Sequence, residues 1–355
     1  VTDTLDIKIT KTSASRLQET DFTNLPFGKV FTDHMFVSDY EDGEWKNFQI
    51  VPYGDMSFSP AMSVLHYGQA FFEGLKAYKH ADGKAVIFRP YKNADRFNKS
   101  AVRLCSPELP RDIFVQSIAA LVDLDRGWIP EGNGNSLYIR PFMFSTDPYL
   151  GVQPSKTYKF IVLACPVGAY YSKPLNVKIE TKFSRSAEGG FGFAKAAGNY
   201  AGSLLPALEA MKEGYDQLIW TDGKEHAYIE ELGTANVVFV IDGKIVTPST
   251  RDTILEGITR DTLLTLARHW DLPVEERRVS VEEIINALKE GRMTEAFGVG
   301  TAATITPIAA ISLEGERYEL PDPANAEFSI KALQTLNEIR YGVQQDAFEW
   351  NYVVE

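Results

Sequence analysis

Between residues 76 and 183 the sequence carries five strand-like runs and only two helical ones. That ratio constrains the fold more than any other feature. Parallel strands each need a long, usually helical crossover, whereas antiparallel strands need only a tight turn. Residues 76–89 hold two of the runs, joined at Ala81-Asp82-Gly83-Lys84. Asp-Gly accepts the positive φ of a two-residue turn, so this is a hairpin signal. Residues 136–145, 157–167 and 175–183 supply the other strands, and 48–59 is also read as extended. Helices are predicted over 65–73, over 112–128, and over 91–104, where Ala94, Phe97, Ala101 and Leu104 recur at helical spacing. The expectation is an α+β domain with antiparallel pairing, not a doubly wound sheet.

The chain has 355 residues, enough for two domains of roughly 150 residues each. The segment 168–174 reads as a boundary. The expected division is a small N-terminal domain over 1–170, a connection over 171–185 and a larger domain over 186–355. In the second half, a helix over 203–214 ends at Gly214, and a strand over 217–221 turns at Asp222-Gly223. A hairpin over 235–246 has Asp242-Gly243 at its tip. Helices follow over 257–270, with Ile258, Leu263, Leu264 and Leu266 as its apolar stripe, and over 281–290, where Ser280 and Glu283 form a capping box. β-branched runs fill 295–312, and a last helix spans 324–341.

Thirty-six Lys and Arg against 48 Asp and Glu give a net charge of −12. Such a chain repels a phosphate backbone, which argues against nucleic-acid binding. Cys105 and Cys165 are too few and too far apart for a disulfide framework or a zinc knuckle, and their apolar neighbours read as buried thiols. The five histidines show no metal-ligand spacing. The apolar runs, such as 160–166, fall far short of the roughly 18 residues of a membrane span. The N-terminus lacks a basic stretch followed by an apolar one, so a cytoplasmic location is expected.

Three places carry chemistry. Lys195 lies in Phe193-Ala194-Lys195-Ala196-Ala197-Gly198-Asn199-Tyr200, among small and aromatic residues rather than other charges. A partly desolvated lysine is a usable amine nucleophile toward carbonyls. Glu230-Glu231 point to opposite faces if extended, one toward solvent and one into the core, where a buried carboxylate needs a partner such as a protonated pyridine nitrogen. The helix opening at Gly257-Ile258-Thr259-Arg260 offers backbone N–H groups to an anion. Gly298-Val299-Gly300-Thr301 adds a turn with a hydroxyl, and Arg96 adds a guanidinium. An amine for an aldehyde, an acid for a ring nitrogen and donors for a phosphate are the parts that bind pyridoxal phosphate.

Over nearly its whole length, from residues 27–35 to 339–342, the sequence also resembles the branched-chain amino-acid aminotransferases, pyridoxal-phosphate enzymes of fold type IV. The strongest stretches are 65–78, 195–202, 231–236 and 298–303. The resemblance implies a mixed α+β and α/β, two-domain fold like that of D-amino-acid aminotransferase, with the cofactor between the domains. It implies that Lys195 forms the internal aldimine and moves the proton, and that Glu231 pairs with the ring nitrogen. Arg96, Ile258, Thr259 and Thr301 would form the phosphate cup, with Tyr200 near the ring hydroxyl. Phe27, Phe72, Tyr138 and Thr234 would wall the substrate pocket, with Ala302 beside the α-carboxylate. Arg140 is the candidate cation for the second carboxylate of glutamate. It lies two residues from Tyr138, on the same face of an extended strand. Tyr67, Leu150 and Val152 would reach in from a partner subunit, making a homodimer with shared active sites. The implied reaction transfers the amino group of leucine, isoleucine or valine to 2-oxoglutarate.

Two departures stand out. Ala303-Thr304-Ile305-Thr306 occupies the place of the redox Cys-x-x-Cys of mammalian members, and Glu256 precedes Gly257 where many relatives have Pro. Competing readings are a D-amino-acid aminotransferase, an aminodeoxychorismate lyase, or a non-catalytic binder of a phosphate ligand. A dinucleotide dehydrogenase is disfavoured, because no G-x-G-x-x-G joins a strand to a helix.

Overall fold

A computed structural model of the chain describes residues 4–132, 134–168 and 173–355. It divides into two compact units. The first comprises 1–170, 195–197 and 336–355; the second comprises 171–194 and 198–335. Lys195 and the C-terminal residues therefore group with the first unit, although the sequence reading placed them in the second domain.

The first unit is built on one sheet. Its strands run in the order Lys8–Ile9, Glu44–Pro52, His34–Glu41, Tyr158–Val167, Ser136–Ser145, Leu75–Lys79, Ala85–Phe88 and Asn351–Val354, with Ala70–Phe72 added beside Ser136–Ser145. All pairings are antiparallel except the short one of Lys8–Ile9. The expected helix over 65–73 is instead Ser63–Tyr67 followed by the strand Ala70–Phe72. Gly68, at φ 65°, ends the helix in the left-handed region.

The helices Pro90–Arg103 and Arg111–Leu124 cover one face of this sheet, through Phe97, Phe114 and Ile118 against Phe36, Phe71 and Phe160. Alternation along Ser136–Ser145 then decides what the other face carries. Leu137, Ile139 and Met143 enter the helix-covered core, whereas Tyr138 packs with Cys165 and Val167 outside it. Arg140 shares the facing of Tyr138, as the spacing predicted. Cys165 is buried, but Cys105 is exposed. Cys105 sits at φ 52°, where the chain leaves the helix in a left-handed turn, and its apolar neighbours do not cover it.

In the second unit six strands close into a ring. Ile229–Leu232, Gln217–Thr221, Leu175–Ile179, Thr304–Leu313, Met293–Gly300 and Ala235–Ile241 pair in that order, and the last pairs back to the first. Closure leaves no unpaired edge within the ring. Leu175–Ile179 is parallel to both its neighbours, and the other ring pairings are antiparallel. Val177, Ile219, Val237, Phe239 and Ile311 share a core with Ile284 and Ala287 of the helix Val281–Lys289. That helix carries the expected cap, Glu283 N–H to Ser280 Oγ at 3.0 Å. Asp242 and Gly243 turn the expected hairpin at φ 51° and 72°. Among the described residues no helix is long and apolar enough to cross a membrane.

Candidate active site

In the first unit the backbone of Lys195 is clamped on both sides. Its N–H donates to Ser100 Oγ at 2.9 Å, and its carbonyl accepts from Phe72 N–H at 3.1 Å. A bridge between Phe71 and the buried Ala196 fixes the register. The half-buried side chain then places Nζ 4.9 Å from the centroid of the Phe72 ring. Arg140 Cζ lies 4.4 Å from the same ring, and Arg140 Nη2 donates to the Tyr138 hydroxyl at 2.8 Å. Phe27 meets Tyr138 edge-on at 4.9 Å. Gly74 makes this wall possible, since a Cβ there would stand 2.3 Å from the Tyr138 hydroxyl oxygen. An amine, a guanidinium and three aromatic rings thus share one side of the sheet.

Arg96 is buried, and its partner was not foreseen. Its Nε and Nη2 donate to the two carboxylate oxygens of Glu73 at 2.7 and 2.8 Å, and Asn93 Nδ2 adds a third bond at 2.7 Å. A fork of this kind fixes both position and angle of the guanidinium. Lys76 was also missed. It lies within the buried run Leu75–Tyr78, and burial, with Arg340 adding to it and Cys165 opposing, brings its amine down to about 7. A charged residue inside an apolar strand was the available signal. The neighbouring Cys165 thiol is pushed up to about 11 by burial. Tyr67, Leu150 and Val152 are 44%, 60% and 85% exposed, and the Tyr67 hydroxyl donates to the Leu150 carbonyl.

In the second unit Glu231 is the centre. It is 3% exposed, with Arg185 Nε 3.1 Å from its Oε2 and the Leu255 N–H 2.8 Å from its Oε1. Glu230 is equally shut away, at 6% exposed, which corrects the expectation that one of the pair faces water. The strand Ile229–Leu232 is buried at every position, so burial does not alternate along it. Tyr200, Thr234 and Asn199 line one small cavity with Glu231. Asn236 Nδ2 donates to Glu231 Oε1 at 3.3 Å and to the Leu255 carbonyl at 2.9 Å. Its Oδ1 would stand 1.9 Å from a Cβ on Gly257, which immediately precedes the helix Ile258–His269. The N-cap residue of that helix, Gly257, has no side chain to cap it, and its first residues are Ile258 and Thr259. Thr301 and Ala302 occupy the turn joining Met293–Gly300 to Thr304–Leu313.

This donor set fits pyridoxal phosphate. A buried carboxylate beside an arginine suits a protonated ring nitrogen, and a helix start whose N-cap residue is a glycine suits a phosphate.

Comparison with known proteins points the same way. The family model for amino-transferase class IV matches residues 70–311. Branched-chain-amino-acid aminotransferase 2 of Bacillus subtilis is 44% identical over 351 residues, 98% of this chain and 96% of that protein. The crystal structure of the Escherichia coli branched-chain amino acid aminotransferase superposes with a TM-score of 0.75 at 27% identity, covering 91% of this chain and 99% of that one. The PLP-bound holo form of the Thermobaculum terrenum branched-chain enzyme gives 0.72 at 26% identity, covering 90% and 98%.

Proposed function

The chain belongs to the class IV amino-transferases, and within them to the branched-chain-amino-acid aminotransferases; on that premise we propose how its own residues carry the reaction. The cofactor is pyridoxal phosphate, which when bound supplies an aldehyde for amines and a ring that draws electrons from the substrate Cα. Lys195 Nζ would hold it covalently, and the same amine would take the proton from the substrate Cα. Glu231 holds the proton on the ring nitrogen. Arg96, Ile258, Thr259 and Thr301 bind the phosphate, and Tyr200 orients the ring hydroxyl.

Leucine, isoleucine and valine are the proposed donors and 2-oxoglutarate the acceptor. The observation that carries this is the shared wall of the first unit, where Lys195 Nζ and Arg140 Cζ both lie against Phe72, at 4.9 and 4.4 Å. An apolar side chain is received by Phe27, Phe72, Tyr138 and Thr234. A second carboxylate is received by Arg140, and the α-carboxylate by Ala302. The test is a visible spectrum with and without L-leucine. A band that borohydride abolishes and L-leucine shifts supports the proposal. A chain with no such band, or one that prefers D-alanine to L-leucine in steady state, sinks it.

The active unit is proposed to be a homodimer in which Tyr67, Leu150 and Val152 complete the partner's pocket. Their exposure supports this, because three apolar side chains left in water on one surface suit an interface. The thiols Cys105 and Cys165, both free, suit a reducing compartment such as the cytoplasm.

A further inference from the structure

A cavity in the second unit is separate from the one that Glu231 lines. It holds about 210 Å³ and is walled by Glu230, Tyr228, Pro248, Arg251, Ile254 and Arg278, with the turn that follows Gln217–Thr221 at its rim. Glu230 is 6% exposed, and its Oε2 has no hydrogen-bond partner among the described residues. A buried carboxyl oxygen without a partner is costly, so this atom is a vacant acceptor.

Three other carboxylates line the cavity; two are already engaged, and the third, Glu188, is exposed. Asp222 accepts backbone N–H groups of Glu225, Ala227 and Tyr228, and Asp252 accepts from Gly189 N–H. The two arginines have no carboxylate partner among the described residues. Arg251 reaches only Ser249 Oγ, at 3.4 Å, and Arg278 stacks 3.7 Å over the Tyr228 ring. The cavity therefore offers one buried acceptor, two unneutralised guanidinium groups, and apolar surface from Pro248 and Ile254.

We propose that this cavity is a second binding site, and that its ligand is an apolar L-amino acid bound as a zwitterion. The α-ammonium meets Glu230, the carboxylate meets Arg251 and Arg278, and the side chain lies on Pro248 and Ile254. A simple amine would leave the arginines unmatched, and a simple carboxylate would leave Glu230 unmatched. Burial raises the Glu230 carboxyl, with a Thr253 hydrogen bond and Arg185 opposing. An ammonium partner favours the ionised form, so binding weakens as the pH falls and Glu230 protonates.

The site is also wired to Glu231. The Thr253 carbonyl accepts from Ser186 Oγ at 2.8 Å and from Arg185, while Arg185 Nε and Leu255 N–H both hold Glu231. A ligand pressing on residues 251–254 bears on the two groups that fix that carboxylate, so occupancy is expected to alter the cofactor absorption band.

The test is titration calorimetry of the holoenzyme after borohydride reduction, which prevents amine exchange at the cofactor. The probes are L-leucine, 3-methylbutylamine and 4-methyl-2-oxopentanoate. L-Leucine should bind saturably, and the two singly charged probes should bind about tenfold more weakly or less, as expected for losing one charge-assisted contact. Glu230→Gln and Arg251→Met should each weaken L-leucine by a similar factor. Arg251 is exposed, so its replacement does not threaten the fold. No saturable binding overturns the proposal, as does binding that ignores both substitutions or equal binding of the oxo acid. So does binding that Phe72→Ala removes and Glu230→Gln preserves, because that places the ligand on the aromatic wall of the active site.

Discussion

Arg185 Nε lies 3.1 Å from Glu231 Oε2, and both side chains are almost completely buried. A carboxylate enclosed in this way is tolerable only with a charged or strongly donating partner. The pair leaves Glu231 a negative acceptor suited to a cationic ring nitrogen. Glu231→Gln keeps the shape and removes the charge. We expect kcat to fall by roughly two orders of magnitude or more while cofactor affinity changes far less, since the phosphate contacts lie elsewhere. Steady-state kinetics together with cofactor titration separate the two. An unchanged kcat, with Glu230→Gln inactive instead, would move the role to the neighbouring residue.

Lys195→Ala is expected to preserve the fold and abolish transamination. The backbone contacts of residue 195, to Ser100 Oγ and from Phe72 N–H, do not use the side chain. Circular dichroism should match that of the parent, and turnover should fall by several orders of magnitude. Near-native turnover would place the nucleophile elsewhere.

Gly257 provides a structural test of the phosphate end. A Cβ there would come 1.9 Å from Asn236 Oδ1, the residue that also bonds Glu231 and the Leu255 carbonyl. Gly257→Ala must displace Asn236 or the helix start. Cofactor affinity should drop about tenfold or more, for a stability loss of about 1–3 kcal/mol. Equilibrium dialysis of pyridoxal phosphate and thermal melts measure both; unchanged affinity would show that the helix start does not bind the phosphate.

The local elements were legible because their signals are local. The turns at Gly83 and Gly243, the Ser280 cap and the alternation that gives Tyr138 and Arg140 one facing all depend on neighbours a few residues apart. Closure of the six-strand ring was not legible, because it depends on pairings such as Thr304–Leu313 with Leu175–Ile179, more than a hundred residues apart. The partner of Arg96 escaped for the same reason. Glu73 lies 23 positions away, on the far side of a hairpin that folds it back onto the helix. The strand His34–Glu41 was not predicted either, and only the sheet contacts on both its sides reveal it. The identities of Lys195 and Glu231 as candidates came from residue chemistry. Their surroundings came only with the fold.

Asp33 ties down the segment that carries Phe27. Burial alone would raise its carboxyl, but bonds from Ser15 Oγ, Arg16 N–H and Trp128 Nε1 hold it below the usual carboxylate range. A carboxyl lowered in the folded state contributes stability above its unfolded value of about 3.9, and that contribution is lost as the pH falls through the folded value. Acid titration followed by Trp fluorescence should show loosening around Trp128 below pH about 4. Asp33→Asn should bring that loosening to neutral pH and lower stability by about 1–3 kcal/mol. A variant with the parent's acid profile would show that Asp33 does not anchor the segment.

One pocket has to receive both an apolar side chain and the second carboxylate of glutamate. An unpaired buried carboxylate costs several kcal/mol, so a cation must be reachable from the aromatic wall. Arg140 meets that requirement by position: Cζ lies 4.4 Å from Phe72, and Nη2 is bonded to the Tyr138 hydroxyl at 2.8 Å. The same contacts raise the competing idea that Arg140 merely props the two rings. Substitution by methionine distinguishes them, because it retains much of the apolar stem and removes the charge. If Arg140 binds the carboxylate, Arg140→Met raises KM for glutamate and 2-oxoglutarate about tenfold or more, as expected for a charge-assisted bond of about 1.5–3 kcal/mol. KM for leucine and its 2-oxo acid then changes much less, since those ligands meet only the rings. If Arg140 is a prop, Tyr138 and Phe72 shift together and both substrate classes weaken alike. Equal weakening would send the search for the glutamate-binding cation to another part of the chain.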